Sequence, residues 1–456
     1  MVKEVKGKVK SALRFSLFEG VSHSVMVGIG EHYLLAYAIL MSATDLELGL
    51  IATLPIFLAS ILQLFSIKIM HNSRSRKRPI LSFVFLQALT WIPIIFIYSL
   101  ANIKIPSLIF FVSLYWIFGL TASPIWTSWI GDLVPEKTRG TYFSRRRVAT
   151  SIATFISFIL GGFILTYAKD TLNDAYIGFA IIFVLALLAR FVSLFLLNKQ
   201  YEPVLKVTKG NEFALKDFIF HFSKRFKKGH FNTAVLYFSF INFGVYFIAP
   251  YVVAFMLKDL NFSYIQYVIA IGSGLITHVT FLPVWGRILD KYGSLSILKL
   301  TGMLMVVNPL LWILPKELVH VVLIQIYAGF VMSGFLLASF NFLLETTKPE
   351  RRATAISYYH LINGTFIFLG SISAALLIKW SAGWNLDAFS DIFWSKYIIV
   401  FLVSGVWRLM SSLMILPKLK DIKRHKKISS EELALKVISS VPGRGWHMRA
   451  HIHSGK

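Results

Sequence analysis

The sequence predicts an all-α integral membrane protein with twelve transmembrane helices in two pseudo-symmetric halves of six. Hydrophobic residues make up 56% of the 456 residues and charged residues only 15%, whereas an average soluble chain is about 25% charged. Long apolar segments recur along most of the chain, and basic residues collect in every second connection between them. These three observations define the predicted class.

The membrane spans follow from length and apolarity. A helix needs about 20 mostly apolar residues to cross about 30 Å of hydrocarbon at about 1.5 Å per residue. The alternating pattern of a membrane β-barrel does not occur in the sequence, so helices are predicted. Twelve segments satisfy the criterion: 18–42, 48–68, 79–100, 106–130, 148–168, 175–197, 232–257, 263–285, 296–315, 318–344, 354–379 and 394–416.

Basic residues orient the predicted helices. Under the positive-inside rule, the side of the membrane richer in Lys and Arg is cytoplasmic. This places both termini and the even-numbered connections in the cytoplasm of a cell-membrane protein. It also explains the net charge of +25 without nucleic-acid binding. The odd-numbered connections hold only six of the 47 Lys and Arg residues: Lys104, Lys169, Lys258, Lys316, Lys379 and Lys396.

Five regions are predicted along the chain. The two helical halves are separated by the longest internal connection, which is polar and rich in lysine. The chain has no cysteine, which excludes disulfides and thiolate metal sites. The regions are a cytoplasmic tail (1–17), an N-terminal half (18–197), a cytoplasmic linker (198–231), a C-terminal half (232–416) and a basic cytoplasmic tail (417–456).

A weak internal repeat relates the two halves. Arg190 in helix 6 meets Arg408 in helix 12 at an offset of 218 residues, and several other positions match at an offset of 214. Repeats of this kind are typical of transporters whose halves are related by an axis along the membrane normal. The pairs at 214 are Gly30 and Gly244, Tyr37 and Tyr251, Asp45 and Asp259, and Pro135 and Pro349.

The connection between helices 8 and 9 carries the most informative motif. Gly286, Asp290, Lys291 and Gly293 follow the pattern Gly-x-x-x-Asp-Lys-x-Gly, which predicts a tight cytoplasmic turn between two membrane helices. The corresponding connection after helix 2 lacks these residue types. Its motif positions hold Ser66, Met70, His71 and Ser73.

With this motif, two halves and twelve predicted helices, the chain resembles the major facilitator superfamily from about residue 15 to 417. The resemblance implies a transporter that moves a small solute by alternating access. It also implies that helices 1, 4, 7 and 10 line a central cavity. The family carries the motif after helix 2 as well, and this chain departs from the family there.

The connections after helices 4 and 10 complete a predicted cytoplasmic gate with the motif residues. Each has an acid at the end of one helix and an arginine opening the next: Asp132 with Arg139, and Glu345 with Arg352. We expect these groups to pair across the halves when the cytoplasmic side is closed. Ordinary helix capping and anchoring of basic residues at the inner face is the alternative.

Glu31 is the clearest candidate for proton coupling. It lies in the middle of predicted helix 1, about 20 Å from the outer end by helical rise, and His32 follows it. Ionisable residues inside a membrane span are costly, and burial favours the neutral form of a carboxyl group. Glu31 is therefore predicted to bind a proton and, with His32, a substrate. A purely structural hydrogen bond to a neighbouring helix is the alternative.

Other candidates for substrate contact lie on helices that the resemblance assigns to the cavity. They are Trp116 on helix 4, Asn242 and Tyr246 on helix 7, and Gln325 on helix 10. Each residue alone is more typical of packing or of hydrogen bonding between helices. His278 on helix 8 is a candidate for proton relay.

Arg190 and Arg408 have two possible roles. Each lies about 13 Å before the predicted cytoplasmic end of its helix. A long basic side chain at this depth can extend to the interface and keep its charge in water. The alternative is a direct contact with an anionic substrate.

The sequence thus predicts a secondary transporter, proton-coupled through Glu31, with a preference for export of amphipathic or cationic compounds. Uptake of an organic anion or sugar-like solute is the alternative within this class, and a non-transporting sensor or assembly protein is the alternative outside it. ATP-binding and hydrolase motifs do not occur in the sequence, so no enzyme activity is predicted. The expected partners are a small solute and the lipid bilayer, with no cofactor or metal, and the expected state is a monomer.

Overall fold

The computed structural model describes residues 2–100, 103–135, 139–203, 230–314, 317–347, 352–384, 394–420, 431–433 and 436. All regular elements in these ranges are helices. We number the membrane helices 1 to 12. Their bounds are Val2–Ile29 with Leu34–Leu40, Asp45–Phe65, Lys77–Ser99, Lys104–Leu133, Arg139–Thr171, Ala175–Asn198, His230–Ala254, Tyr264–Leu311 (helices 8 and 9), Leu318–Glu345, Arg352–Ser381 and Ile398–Ile415.

The twelve predicted helices are all found within the described ranges. Ten helices there are long and apolar enough to cross a membrane. One of them, Tyr264–Leu311, has 48 residues and contains two successive spans. Helix 1 is not among the ten because a short turn divides its apolar residues. The fold class predicted from hydropathy is therefore confirmed.

Helix 1 begins much earlier than predicted and is interrupted where it was predicted to be continuous. The segment from Val2 to Ile29 is one helix, so part of the predicted N-terminal tail is helical. A 3₁₀ turn at Glu31–Tyr33 precedes the short helix Leu34–Leu40. Helix 1 packs closely on helix 5, because a Cβ atom on Gly28 would overlap the Thr154 carbonyl oxygen and the Ser157 hydroxyl.

The motif between helices 8 and 9 contains a tight turn, and the turn is confined to its last residue. Helical structure continues through Gly286 to Tyr292, and the chain direction changes only at Gly293. Gly293 has φ 77° and ψ 168°, a conformation that is essentially restricted to glycine. The corresponding connection after helix 2 turns at Arg74, whose φ is 49°. One glycine, rather than the whole motif, thus defines the turn.

The chain divides into two compact units. The first comprises Met1–Phe218, Ala249–Val268 and Ile367–Leu376, and the second comprises Ile219–Ile248, Ile269–Phe366 and Leu377–Lys456. Most of the predicted linker lies outside the described residues. The division of the chain into five regions therefore remains a prediction.

In the first unit, helices 2, 7 and 11 meet at a small polar contact. A Cβ atom on Gly49 would lie 2.8 Å from the Ser371 hydroxyl and 2.9 Å from the Tyr251 hydroxyl. The Tyr251 hydroxyl donates to the Ser371 carbonyl oxygen at 2.9 Å. Nearby in sequence, Lys258 Nζ donates to the Ala43 carbonyl oxygen at 3.1 Å. These contacts join the predicted outer ends of helices from both halves of the sequence.

The internal repeat is visible in the helix contacts inside each unit. A Cβ atom on Gly30 would lie 2.8 Å from the Ala186 Cβ, where helix 1 meets helix 6. At the equivalent place, the Ser404 hydroxyl donates to the Gly244 carbonyl oxygen at 2.6 Å, where helix 7 meets helix 12. Ala186 and Ser404 are 218 residues apart, as are Arg190 and Arg408. The weak sequence repeat therefore corresponds to matching close contacts between helices.

A short segment of the C-terminal tail packs into the core of the second unit. Leu433 is fully buried and belongs to the same apolar cluster as Tyr292, Leu416 and Leu419. Lys436 Nζ binds the Glu432 carboxylate at 2.5 Å, and this hydrogen bond raises the pKa of Lys436. The tail is thus attached beside the turn between helices 8 and 9.

Candidate functional site

Glu31 lies at the break in helix 1 and is held by one hydroxyl group. The Tyr115 hydroxyl, from helix 4, donates to Glu31 Oε2 at 2.8 Å. Tyr115 is buried, and its ring packs edge-on against Trp91 at 5.3 Å between centroids. Within the described residues Glu31 forms no ion pair. The sequence identified Glu31, but Tyr115 was missed because an isolated tyrosine in an apolar helix carries no signal.

His32 and its neighbour Tyr33 form an aromatic contact between helices. The His32 ring lies 5.3 Å from the Phe158 ring, and its carbonyl oxygen accepts a hydrogen bond from the Tyr267 hydroxyl at 3.1 Å. The Tyr33 hydroxyl donates to the Phe158 carbonyl oxygen. Trp116 is half-buried, with its ring 6.1 Å from the Tyr115 ring. The first unit thus brings Glu31, His32 and Trp116 into one region.

The candidates on helices 7, 8 and 10 lie in the second unit. Asn242 Nδ2 donates to Asn363 Oδ1 on helix 11 at 2.7 Å. Gln325 is half-buried and lies where helix 10 packs on Gly274 of helix 8. His278 lies where helix 8 packs on Gly329 of helix 10. Tyr246 and His278 each form an interaction within the described structure.

Arg408 is buried and bonded to the backbone. Its side chain is buried, and its two terminal nitrogens donate to the carbonyl oxygens of Met305 and Gly244 at 3.1 and 3.0 Å. It does not extend to the membrane interface, so that interpretation is wrong. Carbonyl groups of two helices thus bind its terminal nitrogens in place of water, whereas its Nε makes no hydrogen bond to the described residues. Arg408 thereby fastens helix 12 to helices 7 and 9.

Arg190 is also buried, so extension to the interface is wrong here as well. Its partners are side chains: Nη1 donates to the Ser193 hydroxyl at 3.0 Å and Nη2 to Gln87 Oε1 at 2.5 Å. Its Nε atom has no hydrogen-bond partner in the described part of the chain. The two equivalent arginines of the repeat are therefore held in different ways.

Three residues that the sequence did not single out surround Arg190. Glu19 accepts hydrogen bonds from Arg146 Nη2 at 3.0 Å and from the Ser193 hydroxyl at 3.2 Å. His23 is half-buried and lies within electrostatic range of both arginines. Arg146 packs over the Trp126 ring at 4.5 Å. Glu19 and Arg146 were missed because their neighbours in sequence are the basic residues that flank the membrane.

These residues line a cavity of about 200 Å³ inside the first unit. Two glycines provide the space for the polar groups. A Cβ atom on Gly20 would lie 2.6 Å from Arg146 Nη2, and one on Gly119 would lie 2.6 Å from Gln87 Nε2. The lining residues are Glu19, His23, Ile80, Val84, Gly119, Ala122, Ser123, Trp126, Arg146, Arg190 and Leu197.

Three of the predicted gate residues, Asp132, Glu345 and Lys291, have partners within their own halves. Asp132 binds Arg76 Nη2 at 2.5 Å, and the Glu345 carboxylate accepts a hydrogen bond from the Ser294 hydroxyl at 2.6 Å. Lys291 lies over the Tyr292 ring at 5.5 Å. The side chains of Arg139 and Arg352 lie outside the described residues. Pairing of acids and arginines across the halves therefore stays a prediction.

Glu202 performs a capping role beside the connection that lacks the family motif. Its carboxylate accepts hydrogen bonds from the Ser75 hydroxyl at 3.0 Å and from the Arg76 backbone N–H at 2.5 Å. A carboxylate at a helix N-terminus satisfies free N–H groups and interacts favourably with the helix dipole. The end of helix 6 is thus fastened to the start of helix 3.

The apolar helices, the repeated contacts and the buried polar groups are those of a multi-pass membrane transporter. The family model of the Major Facilitator Superfamily matches residues 24–323 and 235–449. The chain therefore belongs to the major facilitator superfamily. No curated protein sequence matches it.

Solved transporter structures share this fold over nearly the whole chain. A mutant of the nucleoside transporter NupG has a TM-score of 0.67 at 14% identity, covering 90% of this chain and 100% of that one. A D-xylose-proton symporter has 0.65 at 16%, covering 90% and 98%. A bacterial homologue of the human lysosomal transporter Spinster has 0.63 at 14%, covering 92% and 99%. At these identities the likeness shows the fold alone.

Proposed function

We propose that this protein is a secondary active transporter that moves a small organic solute by alternating access and couples the movement to protons at Glu31. The observation that carries the proposal is the hydrogen bond from Tyr115 to Glu31 at the break in helix 1. A carboxyl group held by a neutral hydroxyl can gain or lose a proton without breaking an ion pair. The D-xylose-proton symporter shares the fold, which is compatible with proton coupling here.

A difference infrared titration of the purified protein in lipid nanodiscs tests Glu31 without knowledge of the solute. We expect a carbonyl-stretch band of a protonated carboxyl group that changes with pH and is lost in Glu31→Gln. The matched control is Glu317→Gln, because Glu317 is an exposed carboxylate at the start of helix 10. The control should keep the band. If the titrating band persists in Glu31→Gln, Glu31 is not the proton-binding group.

Transport in proteoliposomes provides the functional test once a solute is in hand. Glu31→Gln should abolish accumulation driven by a pH gradient but retain exchange of solute across the membrane. This separation follows because exchange needs the binding site and the conformational change, whereas accumulation also needs the proton. Full proton-driven accumulation by the variant would contradict the proposal.

Two classes of solute are candidates for transport. Export of an amphipathic or cationic compound is supported by the carboxyl group of Glu31 and by the neighbouring His32 and Trp116. Uptake of an organic anion is supported by Arg190, which lies with a second guanidinium beside a cavity. Arg408 does not add to that second case, since backbone carbonyl groups bind its terminal nitrogens. Asn242, Tyr246, Gln325 and His278 remain proposed contacts.

A further inference from the structure

We propose that the cavity around Arg146 and Arg190 binds the carboxylate of a small organic monoanion, and that this anion is the solute class of the carrier. Binding of the anion does not depend on the proposed transport function. The assignment of this anion as the solute rests on that function. The cavity lies entirely within the first unit, between helices 1, 3, 4, 5 and 6.

The charges around the cavity do not balance. Two guanidinium groups, from Arg146 and Arg190, face one carboxylate, that of Glu19. Apart from His23, the described lining carries one excess positive charge. An uncompensated charge in a low-dielectric interior is costly. A bound monoanion would remove this excess and leave the site neutral.

Hydrogen-bond donors remain available beside the cavity. Arg146 uses Nη2 for Glu19 and Nε for the Ser16 carbonyl oxygen at 3.3 Å, and its Nη1 makes no hydrogen bond to the described residues. His23 likewise makes none within the described ranges, although its ring lies on the cavity. A carboxylate with two oxygens is suited to these donors, since guanidinium and carboxylate form charge-assisted hydrogen bonds.

The size and walls of the cavity define the rest of the ligand. About 200 Å³ is the space of roughly six or seven waters at about 30 Å³ each. Apart from Gly119 and Ser123, the other lining residues have apolar side chains, so a compact hydrocarbon body fits better than a polyhydroxylated one. The side chains that would contact this body are Ile80, Val84, Ala122, Trp126 and Leu197.

The two halves differ at the positions that build the cavity. Both halves have the buried arginine, which is Arg190 in the first half and Arg408 in the second. At the offset of 214, however, Glu19 corresponds to Thr233 and His23 to Tyr237. The arginine of the second half forms no ion pair among the described residues, and its two terminal nitrogens bind backbone carbonyl oxygens. The additional polar groups are thus specific to the first half, which favours a ligand over a general requirement of the fold.

The binding test compares benzoate with benzamide, a neutral molecule of nearly the same shape. Isothermal titration calorimetry of the purified full chain in detergent, at constant ionic strength, should show binding of benzoate and at least about tenfold weaker binding of benzamide. Arg190→Gln and Arg146→Gln should each weaken benzoate binding about tenfold or more. Arg147→Gln is the matched control, because Arg147 is exposed on the same helix as Arg146.

Glu19→Gln gives a result that a structural role does not predict. Glu19 competes with the ligand for the same guanidinium groups, so removing its charge should strengthen benzoate binding several-fold. Arg190→Lys keeps the charge and provides a variant that tests the site if Arg190→Gln does not fold. Equal affinities for benzoate and benzamide, or benzoate binding that is unchanged in Arg190→Gln and Arg146→Gln, would overturn the site.

Glu31→Gln and a transport assay distinguish failure of this binding site from failure of the proposed transport function. Glu31→Gln should still bind benzoate, because Glu31 lies about 18 Å from Glu19 along helix 1 by helical rise. Under an inward proton gradient, radiolabelled benzoate should accumulate faster in proteoliposomes than in protein-free liposomes, which neutral benzoic acid enters unaided. Binding without this faster accumulation would overturn the assignment of the solute class, and loss of benzoate binding in Glu31→Gln would overturn the separation of the two sites.

Discussion

Single residues in this protein owe their roles to contacts with distant parts of the chain. Arg190 illustrates this, since it is bound by Gln87 from helix 3 and lies beside Glu19 from helix 1. The sequence predicted that Arg190 is exceptional because it is a charge inside an apolar span. It could not predict the partners, because residues so far apart are brought together only by helix packing. Glu19 and Arg146, close to the basic tail and connection, gave no comparable signal.

Gly28 allows a residue-scale test of the packing of helix 1. We expect Gly28→Ala to lower the free energy of unfolding by about 1–3 kcal/mol, because the added methyl group would overlap the backbone of helix 5 at Thr154. A melting curve of the purified protein in detergent measures this. Gly286→Ala is the control, since nothing lies within 4 Å of a Cβ atom there. Equal melting temperatures for the two variants would contradict the close contact.

At the scale of helices, hydropathy predicted the membrane spans but not where helix 1 begins or where it is interrupted. The twelve spans follow from apolar length, which depends on neighbouring residues alone. Hydropathy does not predict the early start of helix 1, because the residues before 18 are basic, although nothing in them prevents helix formation. The break at Glu31–Tyr33 was missed because it contains no proline and depends on packing.

Gly293 provides the test of the turn between helices 8 and 9. Gly293→Ala should destabilise the protein by about 1–3 kcal/mol, because a Cβ atom is strained at a φ of 77° and ψ of 168°. The thermal melting temperature should fall accordingly.

Arg74→Gly, at the corresponding turn in the first half, is the control for Gly293→Ala. Arg74 has a φ of 49°, a left-handed conformation that glycine adopts more easily. Arg74→Gly should therefore leave the melting temperature unchanged or raise it. A loss of stability in Arg74→Gly as large as that in Gly293→Ala would show that the backbone conformation does not cause the effect.

At the scale of the whole molecule, a carrier must break the contacts that hold one side of its pathway together. In the first unit the contact of Gly49 with Ser371 and Tyr251 joins helices from both halves of the sequence. A larger side chain at Gly49 should separate helix 2 from helices 7 and 11. The absence of cysteine in the sequence makes this measurable by labelling single introduced thiols.

Ser371→Cys should react slowly with a membrane-impermeant maleimide, because Ser371 is fully buried. Adding Gly49→Leu should increase that rate at least several-fold by opening the contact. Leu46→Cys is the control for access, since Leu46 is 45% exposed and should react equally with and without Gly49→Leu. An unchanged rate at position 371 would show that the contact does not limit access.

The buried position of Leu433 matters to anyone who shortens the protein for crystallisation. A version ending at Lys420 would remove Leu433 from the apolar cluster that includes Tyr292, Leu416 and Leu419, and would uncover part of that cluster. Uncovered surface of this kind favours self-association in detergent, and the resulting dimers would be artefacts of trimming. Shortened versions should therefore keep the chain through Lys436.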